Sequence, residues 1–114
     1  MEQIKLHKKC DDKILLDYGF RKRKYRNEIT YTLSVPLYKY KNSSVIEVQF
    51  RVFRSYGYIG YDIVESCSGN LYIHFYDKKY SNSDQNDVLK IVKNNLNKEL
   101  QTMKNAMIIS DMEV

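Results

Sequence analysis

The chain has no tryptophan, one proline, four glycines, two cysteines and two histidines among its 114 residues. Each scarcity removes a class of chemistry. Cys10 and Cys67 stand far apart with no CxxC motif and no Cys/His cluster around either. That pattern offers neither a zinc site nor a disulfide framework, and two reduced thiols are expected, one on a helix and one in a turn. His7 and His74 have no serine, cysteine or carboxylate at a spacing that suggests a catalytic triad. The glycines Gly19, Gly57, Gly60 and Gly69 each fall near a turn or strand, so no glycine-rich phosphate loop exists. No stretch approaches the roughly 18 apolar residues of a membrane span, and the segment from Met1 to Lys9 is too charged for a signal peptide. The expectation is therefore a cytoplasmic protein with no metal, no cofactor, no catalytic residues and no membrane contact.

What the chain does contain is lysine, asparagine, isoleucine and tyrosine, which supply 44 of the 114 residues. These are residues of A/T-rich codons, and the bias points to an AT-rich gene. Lysine and arginine number 19 against 14 acids, a net charge of +5. Part of that excess follows from codon bias, so the charge alone is weak evidence for an anionic partner. A chain of this length buries roughly 60 to 70% of its unfolded surface, enough for one modest core and a single domain over 1–114.

The hydrophobic pattern orders the chain. Ile4, Leu6, Cys10, Ile14, Leu15 and Tyr18 recur near helical spacing and end at Gly19, which predicts a helix from about Lys5 to Tyr18. Arg21-Lys22-Arg23-Lys24-Tyr25-Arg26 then places five cations in six positions. From Glu28 to Leu37 apolar and polar residues alternate strictly, the mark of a half-buried strand, and Pro36 implies an edge or an end there. Val45 to Arg54, Tyr58 to Val64 and Leu71 to Tyr76 alternate likewise, separated by short turns, and predict an antiparallel meander of four strands. After N-cap candidates at Ser81 to Asp84, apolar residues from Leu89 to Met107 recur every three or four positions, a long amphipathic helix. The tail from Ile108 to Val114 is expected to fray. The fold class that follows is α+β, a two-layer sandwich with both helices on the apolar sheet face.

If the helices cover the face bearing Ile29, Leu33, Val48, Phe50, Ile59, Ile63, Ile73 and Phe75, the opposite face displays Arg51, Tyr58, Tyr72, His74 and Tyr76. Tyrosine and arginine concentrate in interfaces because they offer large, fairly rigid, amphipathic area, which makes these five the candidate partner-binding residues. The same groups can stack on bases while cations hold phosphates. Arg21, Lys22, Arg23, Lys24 and Arg26 are the candidate contacts to phosphate or to an acidic surface, against the plainer reading of a solvated linker. Tyrosine is also a strong strand former, so simple sheet filling competes with both. Two nuclease-like patterns, Asp62 with Asp77-Lys78-Lys79, and Tyr58-Ile59-Gly60, are short, lack their companion motifs and are discounted.

The stretch Leu15-Leu16-Asp17-Tyr18-Gly19-Phe20, followed by a tyrosine-bearing strand, a second hairpin and a long Lys/Asn-rich helix, resembles small proteins carried by phages and mobile elements of low-GC Gram-positive bacteria. Anti-CRISPR inhibitors are among them. The resemblance implies a non-enzymatic protein that docks on a host protein complex, and it assigns no residues. Many such inhibitors are acidic nucleic-acid mimics, a pattern from which a charge of +5 departs. Nucleic-acid binding is the alternative, and a homodimer built from sheet faces or edge strands is a minor third.

Overall fold

A computed structural model describes residues 2–41, 44–76 and 83–110. The order of elements is β1 (Glu2–Lys5), α1 (Asp12–Tyr18), β2 (Arg21–Tyr25), β3 (Glu28–Lys39), β4 (Val45–Phe53), β5 (Tyr58–Glu65), α2 (Ile73–Tyr76) and α3 (Ser83–Asn105). The five strands form one antiparallel sheet in the order β1-β5-β4-β3-β2. The class is thus α+β, as the alternation predicts, with five strands rather than four.

Three of the four expected strands appear where the sequence puts them, as β3, β4 and β5. Tyr31, Val48, Phe50, Val52, Ile59 and Ile63 point inward and are almost wholly buried. Leu15 of α1 and Val92, Leu96, Leu100 and Met103 of α3 join them in a single apolar cluster. Each such side chain contributes roughly 1.5 to 3 kcal/mol when fully removed from water.

Three expectations are corrected. First, the helix expected from Lys5 begins only at Asp12, because Asp11 accepts a hydrogen bond from the Ile14 amide at 2.9 Å and caps it there. Residues 2–5 add to the free edge of β5 instead, and Cys10 lies outside the helix. Second, the basic run is no linker. A two-residue turn at Arg26 and Asn27 folds it back on β3 with Tyr25 opposite Glu28. Third, Leu71 to Tyr76 is no strand. β1 already holds the β5 edge over Tyr58 to Tyr61, leaving room for one bridge between Val64 and Leu71 before the chain coils into the single turn of α2. The first and third changes alter the layers: part of the expected helical layer joins the sheet, and part of the expected sheet becomes helix.

The end of α3 also departs from the frayed tail. Ile108 and Ile109 are buried, the His7 amide donates to the Ile108 carbonyl, and the Ser110 amide donates to that of Lys5. Residues 111–114 lie outside the described residues, as do the side chains of the expected cap at 81–84. Pro36 sits on β3 beyond the last residue paired with β2, so on that side the strand is an edge. The register slips between Pro36 and Tyr38, and the side-chain amide of Asn95 donates to the Leu37 carbonyl at 2.7 Å, closing the irregularity from α3.

Candidate functional site

The ladder registers decide which side chains share the face turned away from the core. One row runs Arg23, Thr30, Phe53, Tyr58, Lys5 across β2, β3, β4, β5 and β1. The next runs Arg21, Thr32, Arg51, Gly60, Gln3. At about 4.8 Å between strands, each row spans about 19 Å. The outer face therefore carries arginines from the β2 edge to the central strand β4, and aromatics on β4 and β5.

The aromatic part is a cluster of three. The Phe53 and Tyr58 rings lie 5.5 Å apart, and Tyr56, in the β4–β5 turn, stacks on Tyr58 with centroids 6.0 Å apart and planes 25° apart. Tyr56 is 63% exposed, so one ring face is open to a ligand. Beside the cluster, Arg23, Glu28, Thr30, Thr32, Arg51 and Phe53 line a shallow depression of about 570 Å³. A second, of about 410 Å³, continues toward β2 along Arg21, Arg23, Thr32 and Ser34. Glu28 lines the first of these, and Asp62 lines a neighbouring depression with Thr32, Gln49 and Arg51. Arg54 at the end of β4 is committed elsewhere: it donates to the Cys10 carbonyl at 2.9 Å and pairs with Asp12 at 3.5 Å, tying the loop before α1 to the sheet.

The five residues singled out for partner binding do not form one surface. Arg51 and Tyr58 lie on the outer face as expected. Tyr72 is completely buried, and its amide donates to the Ile63 carbonyl at 2.8 Å. Burial first, then the neighbouring Tyr40 hydroxyl and the Glu65 charge, push its phenol well above the usual range. Tyr76 is partly exposed, but its hydroxyl accepts from the Ile63 amide at 2.8 Å and covers the β5 edge where β1 has ended. His74 is half-buried on α2, its ring 5.4 Å from that of Tyr72. These three belong to the structure that seals the β5 edge.

Of the basic segment, Arg21 and Arg23 take outer-face positions, while Lys22 and Lys24 alternate to the other side, opposite Tyr31 and Ile29. Arg26 occupies the hairpin turn with φ of 56°. Sequence reading missed Lys5, Phe53 and Tyr56 as members of the site. Phe53 was legible, since it stands two residues beyond Arg51 on a strand whose inward positions are even-numbered. Among the described residues no group of three or more His, Cys, Asp or Glu could hold a metal ion, and no helix is long and apolar enough to cross a membrane. No protein-family model, no curated protein and no solved structure matches this chain.

Proposed function

We propose that this chain is a small non-enzymatic binding protein whose outer sheet face receives a single-stranded nucleic acid. The observation that supports the reading is the shared register of Arg21, Arg23 and Arg51 with Phe53 and Tyr58 on one face of the sheet. Single strands are bound by this combination of parts: aromatic rings on which unpaired bases stack, and cations along a groove that follows the backbone. Phe53, Tyr56 and Tyr58 supply the rings. Arg21, Arg23 and Arg51, with Lys5 at the far end of the row, supply the charge.

The reading is tested by titrating a fluorescent single-stranded oligonucleotide with the protein and with a Tyr56→Ala variant. Stacking contributes about 1 to 3 kcal/mol per base, so the variant should bind roughly 5- to 150-fold more weakly while unfolding at an unchanged temperature. Equal binding by both proteins would contradict it. Replacing Tyr72, by contrast, would probe the core.

A second reading, docking on a protein complex of a host cell through the same face, is favoured by Glu28 and Asp62 standing among the arginines. A mixed-charge face with aromatics suits a protein surface of complementary pattern. That complex should tolerate salt better than one with a polyanion.

A further inference from the structure

The sheet treats its two edges differently. On the β1 side the edge is covered over Lys5 to His7, where the Ile108 carbonyl and the Ser110 amide bond to His7 and Lys5, and farther along β5 Tyr72 and Tyr76 occupy the Ile63 carbonyl and amide. On the β2 side, no backbone partner outside β3 is found among the described residues. The Tyr25–Glu28 pair closes a two-residue turn, and in such hairpins the bonded pairs alternate from the closing pair outward. Tyr25, Arg23 and Arg21 therefore face β3, and the amides and carbonyls of Lys22 and Lys24 point away from the sheet. A row of unpaired strand groups is a template for another extended chain.

Charge selects which chain. Arg21 and Arg23 project to the outer side of this edge, Lys22 and Lys24 to the inner side, and all four are exposed. A second copy of β2 laid alongside would set cation against cation, which disfavours self-pairing. An extended chain rich in glutamate or aspartate would satisfy both the backbone and the cations. We infer that β2 is a docking edge for an acidic extended peptide, added to the sheet as a sixth strand. This goes beyond nucleic-acid binding by the outer face and rests on the backbone of β2 rather than on the aromatics.

The probe is a synthetic, acetylated seven-residue peptide alternating glutamate and valine, titrated calorimetrically into the full chain without nucleic acid. Its control is the same peptide N-methylated along its backbone, which keeps the charge and removes the donors. The unmodified peptide should bind, and the methylated one should bind roughly 2- to 13-fold more weakly for each backbone hydrogen bond lost. Lys24→Pro, which removes an outward donor from β2, should weaken the unmodified peptide similarly. Equal affinities for the two peptides would reduce the interaction to charge attraction and overturn the inference, as would absence of binding. A concentration-dependent dimer lost in Lys24→Pro would also overturn it, by giving the edge to a second copy. None of these readouts uses Tyr56 or an oligonucleotide, so failure here is separable from failure of the nucleic-acid reading.

Discussion

Gly19 and Met107 do the same work with different side chains. Each follows a helix in the left-handed region, at φ of 122° and 64°, and each closes the same pair of bonds. The Phe20 amide donates to the Leu15 carbonyl and the Gly19 amide to that of Leu16; likewise Ile108 donates to Met103 and Met107 to Lys104. In both cases the next residue is buried in the core, so the turn aims Phe20 and Ile108 inward. A Cβ at Gly19 would meet nothing closer than Leu33 Cδ1 at 3.8 Å, which leaves backbone strain as its cost. Gly19→Ala should therefore lose about 1 to 3 kcal/mol of stability in denaturant unfolding. Met107→Gly should lose none, because relief of left-handed strain offsets the added freedom of the unfolded chain. The first cap was legible because it uses glycine; the second was hidden by methionine.

The tyrosines divide in the same way. Tyr31 and Tyr72 are buried, and Tyr18 donates to the Glu99 carboxylate at 2.6 Å. Burial is the leading cause in all three of a phenol pushed above its ordinary range. A folded-state value above the unfolded one means that the native chain keeps protons that the unfolded chain releases. Stability from these groups is thus intact below about pH 10 and declines as pH rises beyond it. Thermal unfolding between pH 9 and 12 should show this decline. Tyr72→Phe should flatten it by up to about 1.4 kcal/mol per pH unit, the limit for one proton; an unchanged slope would show that Tyr72 titrates alike in both states.

At the scale of elements, local pattern was a sound guide wherever an element met the core on one face. β3, β4, β5 and α3 carry their period in their apolar residues and lie close to their expected bounds. The elements that sequence misplaced are those whose conformation is decided by a partner distant in the chain. β2 has cations on both faces and no alternation to read, and it is a strand because Arg26 and Asn27 turn it onto β3. Residues 71–76 alternate as a strand should, yet β1 had taken the edge they needed. The short α1 hangs on its cap: Asp11→Ala should cost about 0.5 to 2 kcal/mol, read in the same denaturant series. The pair Asp11-Asp12 before an apolar run was the available signal for its true start.

Over the whole molecule, the candidate site was half legible. Arg51 and Tyr58 could be placed by alternation alone. Their union with Arg21 and Arg23 could not, because it depends on the order of strands in the sheet. That order converts a dispersed excess of charge into rows. Each phosphate neutralised on a single strand adds about 0.7 to the slope of log affinity against log salt. Three arginines therefore predict a slope near −2, with Lys5 extending it toward −3.

The most direct test is that slope, measured by fluorescence anisotropy with a single-stranded oligonucleotide from low to physiological salt, for the native chain and for Arg23→Gln/Arg51→Gln. Binding should weaken steeply with salt, with a slope shallower by about 1.4 in the double variant and thermal unfolding unchanged. Absence of binding by the native chain, or identical slopes for the two proteins, would contradict it.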